Sequence, residues 1–289
     1  APSSGVAFTE FVIDDDANGP AFVTVADVDG DGRLDMVISK FGQVEGFTLP
    51  AGEVTLYRQT DDISEWTAEV IVDESWGIIW PNHTTVADLD ADGDMDIIVP
   101  SGFLICGAIP GTSPCGALSW AEQTADGWVP HEVVPGGQEL FYHQAVLHDM
   151  DGDNIQDMIT VGESSRASMM GDVTSAASLV WFKGTTTSRR FETTPTVIAP
   201  GGGSFPRLMD LDADGDMDIA SAQYFADNTN GDSFVWFEQA EDGWNTHTID
   251  GDQGPAIQLS LVDDFYGDGR MIAIGSNHTN VADGDRWES

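Results

Sequence analysis

Short apolar runs bounded by Gly, Pro, Asn or Asp set the rhythm of this chain, and each predicts a β-strand. The strings VADVDGDGRLDMVI at 25–38, VADLDADGDMDIIV at 86–99, LHDMDGDNIQDMIT at 147–160 and LMDLDADGDMDIAS at 208–221 share one layout. In each, an apolar strand leads into an aspartate-rich loop, and a second apolar strand follows at once. The first aspartates, Asp27, Asp88, Asp149 and Asp210, are 61 residues apart, and a degenerate fifth copy, DFYGDGRMI, starts at Asp264 after 54. A fixed period of that size predicts a repeat architecture.

Each period continues with a third strand centred on an aromatic, marked by Tyr57, Trp120, Trp181, Trp236 and Trp287. A fourth strand follows as WTAEVIVD from 66, WVPHEVVP from 128, FETTPTVI from 191 and WNTHTID from 244. Four strands per period around an axis predict an all-β, five-bladed β-propeller of four-stranded blades, with residues 1–289 as a single domain. The last residues, GDRWES, match only a third strand, whereas FTEFVIDD at 8–15 matches a fourth. The N-terminal strand is therefore expected to complete the last blade and leave no open sheet edge. The alternative is a piece of a longer array.

Crowding so many carboxylates into nine residues demands a counter-charge. In D-x-D-x-D-G-x-x-D, positions 1, 3, 5 and 9 converge and the glycine permits a tight turn, a hard-oxygen donor set suited to calcium. The predicted ligands are Asp27, Asp29, Asp31 and Asp35 in loop 27–35, and Asp88, Asp90, Asp92 and Asp96 in loop 88–96. Asp149, Asp151, Asp153 and Asp157 serve loop 149–157, and Asp210, Asp212, Asp214 and Asp218 serve loop 210–218. Asn154 takes the glycine place in the third loop, which is tolerable because Asn visits left-handed backbone. The fifth, 264–272, has Tyr266 and Ile272 at ligand positions and is expected to be empty or weak. Without an ion the carboxylates would repel and raise one another's pKa values. About four structural calcium ions are predicted.

Composition narrows the function. Fifty acidic residues against ten basic ones give a formal charge of −40, which argues against a nucleic-acid partner. No apolar run approaches the 18 or so residues of a membrane span. Cys106 and Cys115, separated by the turn-rich GAIPGTSP, are expected to form a disulfide. That bond, the calcium loops and the opening APSSG, which reads as a processed terminus, predict an extracellular, secreted protein.

With its Asp strings and four-strand units, the chain resembles the FG-GAP or VCBS repeat family of integrin α-like calcium-binding propellers, which also serve fungal lectins and secreted carbohydrate-active enzymes. The resemblance implies a calcium-stabilised β-fold and leaves adhesion, sugar binding and catalysis all open. Integrin-type propellers usually have seven blades, so five is a departure.

What does not repeat carries the functional reading. Positions −2 and −4 before the first aspartate, such as Val25 and Val23, are expected to pack between blades, while −1, −3 and −5 face a central channel. Residues ahead of each first strand and behind each second strand then gather at the mouth opposite the loops. That mouth collects Lys40, His83, His143, Arg207, Tyr224 and His278, with Glu163 and Gln223 nearby. His83 and His143 are the candidate acid and base, Arg207 and Lys40 the binders of substrate or oxyanion, Tyr224 and His278 supporting donors. Asn82 and Asn277 each open an N-glycosylation triplet but read better as structural or ligand-binding residues, and Trp76, Trp80 and Phe47 are aromatics able to stack on a sugar. These parts suit proton abstraction beside a carbonyl followed by elimination, hence a lyase or dehydratase acting on a carbohydrate or related oxygen-rich substrate. The alternatives are a non-catalytic lectin-like or adhesion module and a transition-metal enzyme with histidine ligands.

Overall fold

The computed structural model describes residues 8–43, 49–103, 106–107, 113–167, 173–224, 232–251 and 253–277, and these are all-β. The first sheet runs β1 (Pro20–Ala26), β2 (Asp35–Lys40), β3 (Glu53–Gln59) and β4 (Trp66–Val72). The second is β5 (Thr85–Ala87), β6 (Asp96–Ser101), β7 (Gly116–Thr124) and β8 (Gly127–Gln138). The third is β9 (Phe141–His148), β10 (Asp157–Ala167), β11 (Val173–Phe182) and β12 (Thr196–Pro200). The fourth is β13 (Arg207–Met209), β14 (Asp218–Ala222), β15 (Asp232–Ala240) and β16 (Gly243–Gly251), and the fifth, among the described residues, is β17 (Ala256–Val262) and β18 (Ile272–Asn277). Each sheet is an antiparallel meander in chain order. A 3-10 turn at Glu74–Trp76 is the one helical element among the described residues.

Hydrophobic pattern explains the stacking. The β6 sequence DIIVPS is buried throughout, so both of its faces need a cover. Ile97 and Val99 pack with Val37, Val54 and Leu56 of the first sheet. Ile98, one residue out of phase, packs with Met158 and Val180 of the third. Ile159 and Leu179 likewise meet Ile219 and Phe237 of the fourth, and Ala222 and Phe234 meet Leu259 of the fifth. Consecutive sheets therefore share cores face to face, in a sandwich-like stack.

The five-bladed propeller expected from the repeat does not form. Among the described residues the sheets are five separate, open ones with four, four, four, four and two strands, and no sheet is closed. Two local features depart from the expected pattern. In the first four repeats the ninth loop residue is an aspartate that bonds the end of the third strand, as Asp35 Oδ1 does by accepting the Gln59 N–H at 3.0 Å. The fifth repeat has Ile272 there and offers no such anchor. The N-terminal segment is also occupied elsewhere: residues 8–19 contain no strand, Tyr57 donates to the Asp14 carboxylate, and Gly19 accepts from the Phe41 N–H at 2.8 Å. It lies against the first sheet instead of completing the fifth. Val23 and Val25, expected to pack between blades, are 47% and 53% exposed as a result. Trp287, expected to mark a last third strand, lies outside the described residues.

One strand starts later than its pattern predicts. The run from Phe191 yields β12 only from Thr196; Phe191 is buried and makes an isolated bridge with Gly184, and Pro195 follows before the ladder begins.

Candidate functional site

Two groupings of functional side chains stand at opposite ends of the strands. At the loop end, four sets of carboxylates each bring one oxygen per residue within 4.8 Å of the others: Asp27, Asp29 and Asp35; Asp88, Asp90 and Asp96; Asp149, Asp151 and Asp157; Asp210, Asp212 and Asp218. Each set is able to hold a metal ion. Asp27 Oδ1 is buried without a hydrogen-bond partner, an oxygen left for a cation to satisfy. Burial first, and then the neighbouring Asp90 and Asp92, push the Asp96 carboxyl up to about 6, and burial and like charge also raise Asp90, Asp212 and Asp218. Gly32, Gly93, Asn154 and Gly215 all take positive φ at the turn, so the third loop's asparagine adopts the backbone a glycine would.

The fifth positions behave differently. Asp31, Asp92, Asp153 and Asp214 lie outside these sets and accept the N–H two residues on. Cations attend three loops: Arg33 pairs with Asp31, Lys183 with Asp151 and Asp153, and the Arg190 guanidinium stands 3.6 Å from Asp90. Among the described residues no Lys or Arg pairs with the fourth. In the degenerate loop Asp268 pairs with Arg270, and Asp264 belongs to no metal-holding set.

Sequence reasoning missed the second role of the ninth aspartate. Asp157, fully buried, accepts from Met150 N at 2.9 Å and Gly184 N at 2.6 Å, tying its loop to the end of β11. Asp96 does the same with Leu89 and Gln123, and Asp218 with Leu211 and Gln239. Its placement at the start of an apolar strand, where a charge survives only if bonded, was the available signal.

At the other end the first strands of successive sheets are laced together by polar side chains. Thr24 donates to the Thr84 carbonyl at 2.7 Å and Thr85 to the Ala145 carbonyl at 2.6 Å. In the same belt Arg207 Nη1 donates to Gln144 Oε1 at 2.7 Å, and Gln144 Nε2 lies 3.3 Å from His83 Nδ1. His83 Nδ1 is also 3.1 Å from the Thr84 carbonyl. With the proton on Nδ1 and donated to that carbonyl, Nε2 is left with a free lone pair, and Gln144 Nε2, itself a donor, then packs beside Nδ1 without a hydrogen bond to it. Burial, with the Arg207 charge adding to it, lowers the His83 pKa and keeps the ring neutral. Arg207 is half-buried and, among the described residues, has no carboxylate partner; it also donates to the Pro206 carbonyl at 2.9 Å.

His143 adjoins this chain. Its carbonyl accepts the His83 N–H at 2.9 Å, and its Nε2 is 3.2 Å from the buried Glu163, which also accepts from Ser204. Phe205 packs near both imidazoles, with ring centroids 6.3 Å from His83 and 5.9 Å from His143. Buried polar atoms without partners, Asn82 Oδ1, His143 Nδ1 and Gln223 Nε2, belong to residues of this same end.

Lys40 does not join the cluster. It is buried against Glu53 at 2.9 Å and lies over the Tyr57 ring; burial works against its charge, but the Tyr57 and Glu53 oxygens outweigh that and hold its pKa high. Tyr224 is half-buried just beyond β14, and His278 and Phe47 lie outside the described residues. Trp80 is 4% exposed, packed among Phe41, Phe103 and the Cys106–Cys115 disulfide, so it presents no face to a sugar. Asn82 is fully buried, donating to the Gly102 and Tyr142 carbonyls, which is incompatible with a glycan.

No protein-family model matches the chain, and no curated protein matches it. Among solved structures, the chain is similar to the Bacillus licheniformis rhamnogalacturonan lyase PL11, at 12% identity and a TM-score of 0.46. The similarity covers 89% of this chain and 55% of that one, so the chain spans about half the length of that enzyme. No helix among the described residues is long and apolar enough to cross a membrane.

Proposed function

We propose that this protein is a secreted, calcium-stabilised lyase or dehydratase acting on a carboxylate-bearing carbohydrate or a related oxygen-rich acid. The observation that carries the reading is Arg207. In a chain of net charge −40, a half-buried guanidinium with no carboxylate partner among the described residues, hydrogen-bonded to Gln144 beside a neutral histidine, is built for an anion from outside. Arg207 and the Gln144 amide would hold the substrate carboxylate and the enolate-like oxygens that develop on it. His83 Nε2 would take the proton from the carbon beside that carboxylate, the C–O bond one carbon further would break, and His143, oriented by Glu163, would return a proton to the departing oxygen. Phe205 would exclude water near the two imidazoles.

Calcium belongs to the same reading. Asp27, Asp29 and Asp35 and their counterparts would hold it, with loop carbonyls supplying further hard oxygens. The ion's contribution there is to neutralise the loops and brace the sheets, remote from the proton transfers. The Asp strings' resemblance to FG-GAP loops supports calcium over other cations.

The test is release of an unsaturated, ultraviolet-absorbing product from a panel of acidic polysaccharides. His83→Ala and Arg207→Ala should each lower turnover by about 10²-fold or more while both variants stay folded in calcium at the assay temperature. Full activity in both variants, or no product from any substrate by the wild type, would hand the assignment to the sugar-binding module.

A further inference from the structure

A concavity on the flank of the stack has none of His83, His143 or Arg207 in its lining. It measures about 810 Å³, large enough for several sugar rings, and three consecutive sheets contribute to its wall. Trp76 comes from the turn leaving the first sheet, Ser119, His131 and Glu132 from β7 and β8, and Ser188 and Arg189 from the connection between β11 and β12. Trp76 is half-buried: part of the indole packs on the core shared by the first two sheets, and the rest faces the groove. His131 is fixed, stacked on Trp120 with centroids 4.2 Å apart and held by Glu122 at 2.5 Å. Arg189 is exposed and has no side-chain hydrogen bond or ion pair among the described residues.

We infer that this groove binds a neutral saccharide chain, as a docking cleft separate from the His83–Arg207 site. Sugar recognition needs an apolar ring face, hydroxyls that both donate and accept, and charged groups at the rim with donors or acceptors to spare. Trp76 supplies the first, Ser119 and Ser188 the second, and Arg189 with Glu132 the third. The charges also select. Arg189 and Glu132 cancel locally, and the protein's acidic field opposes a polyanion wherever cations are not in excess. The groove thus suits uncharged stretches, where Arg207 suits a carboxylate.

The experiment is calorimetric titration of the calcium-loaded protein with cello-, manno-, xylo- and β-1,4-galactohexaose, and with hexagalacturonate as the acidic arm. At least one neutral hexasaccharide should bind, and Arg189→Gln should weaken it on the order of tenfold. Trp76→Ala should act similarly; because its packing matters, Trp76→Phe serves as the folded comparison and should retain part of the affinity. His83→Ala should bind as wild type, which separates this cleft from the proposed catalytic site. Binding of hexagalacturonate alone, binding of no member, or affinity indifferent to Arg189→Gln would each overturn the inference.

Discussion

Replacing Asp157 tests how the aspartate loops are braced, apart from any ion they hold. The carboxylate is fully buried and accepts two buried backbone N–H groups, from Met150 at 2.9 Å and Gly184 at 2.6 Å. Hydrogen bonds to a charged group contribute about 1.5–3 kcal/mol each, so Asp157→Ala should cost about 3–6 kcal/mol, leaving two buried donors unsatisfied. That is a large share of the ~5–15 kcal/mol by which a typical protein is stable. At about 2 °C per kcal/mol for a chain of this size, calorimetry should show a loss of roughly 6–12 °C. Scanning in EDTA removes the metal's share. Asp157→Asn keeps one acceptor oxygen and should fall between wild type and alanine. Asp153→Ala, an exposed neighbour whose backbone bond is to Ile155, should cost under about 1 kcal/mol in the same buffer. A penalty for Asp157→Ala no larger than that for Asp153→Ala would refute the bracing role and leave the residue as a metal ligand only.

Two further outcomes are expected. Chelation should lower the melting temperature: an ion at 100 times its Kd adds about 2.7 kcal/mol per site, so an unchanged curve after exhaustive EDTA dialysis would dispose of the calcium assignment. Because burial lowers the folded pKa of His83 below its ordinary 6.5, its neutral form contributes stability that is fully present above about pH 6.5 and is lost as pH falls from there through the folded value. The difference in melting temperature between wild type and His83→Gln should therefore be flat above pH 7 and shift against the wild type below 6.5, and a difference independent of pH would contradict the burial of that ring.

The strands and loops were legible because their causes are local. Asp strings flanked by apolar runs fix a turn between two strands whatever surrounds them, and Asn154 takes the left-handed backbone its glycine counterparts take. Closure was not legible, because it depends on what a segment does at long range. FTEFVIDD has the composition of a strand, yet Asp14 serves Tyr57 and Gly19 serves Phe41. Lys40 shows the same limit within the site: its position at the end of β2 is where the pattern put it, but Glu53 on the next strand claims its charge. Gln144, which packs beside His83 and bonds Arg207, carried no signal beyond lying next to His143, since an uncharged amide becomes informative only when its two neighbours are known.

The polar belt between sheets also fixes an order of events in folding. Each meander closes through neighbouring strands and so forms early, whereas the run of contacts from His83 through Gln144 to Arg207 joins positions as much as 63 residues apart per step and needs three sheets already docked. Strand signals and ion binding should thus return first when the denatured chain is diluted from urea, and the geometry of that triad should be among the last features regained.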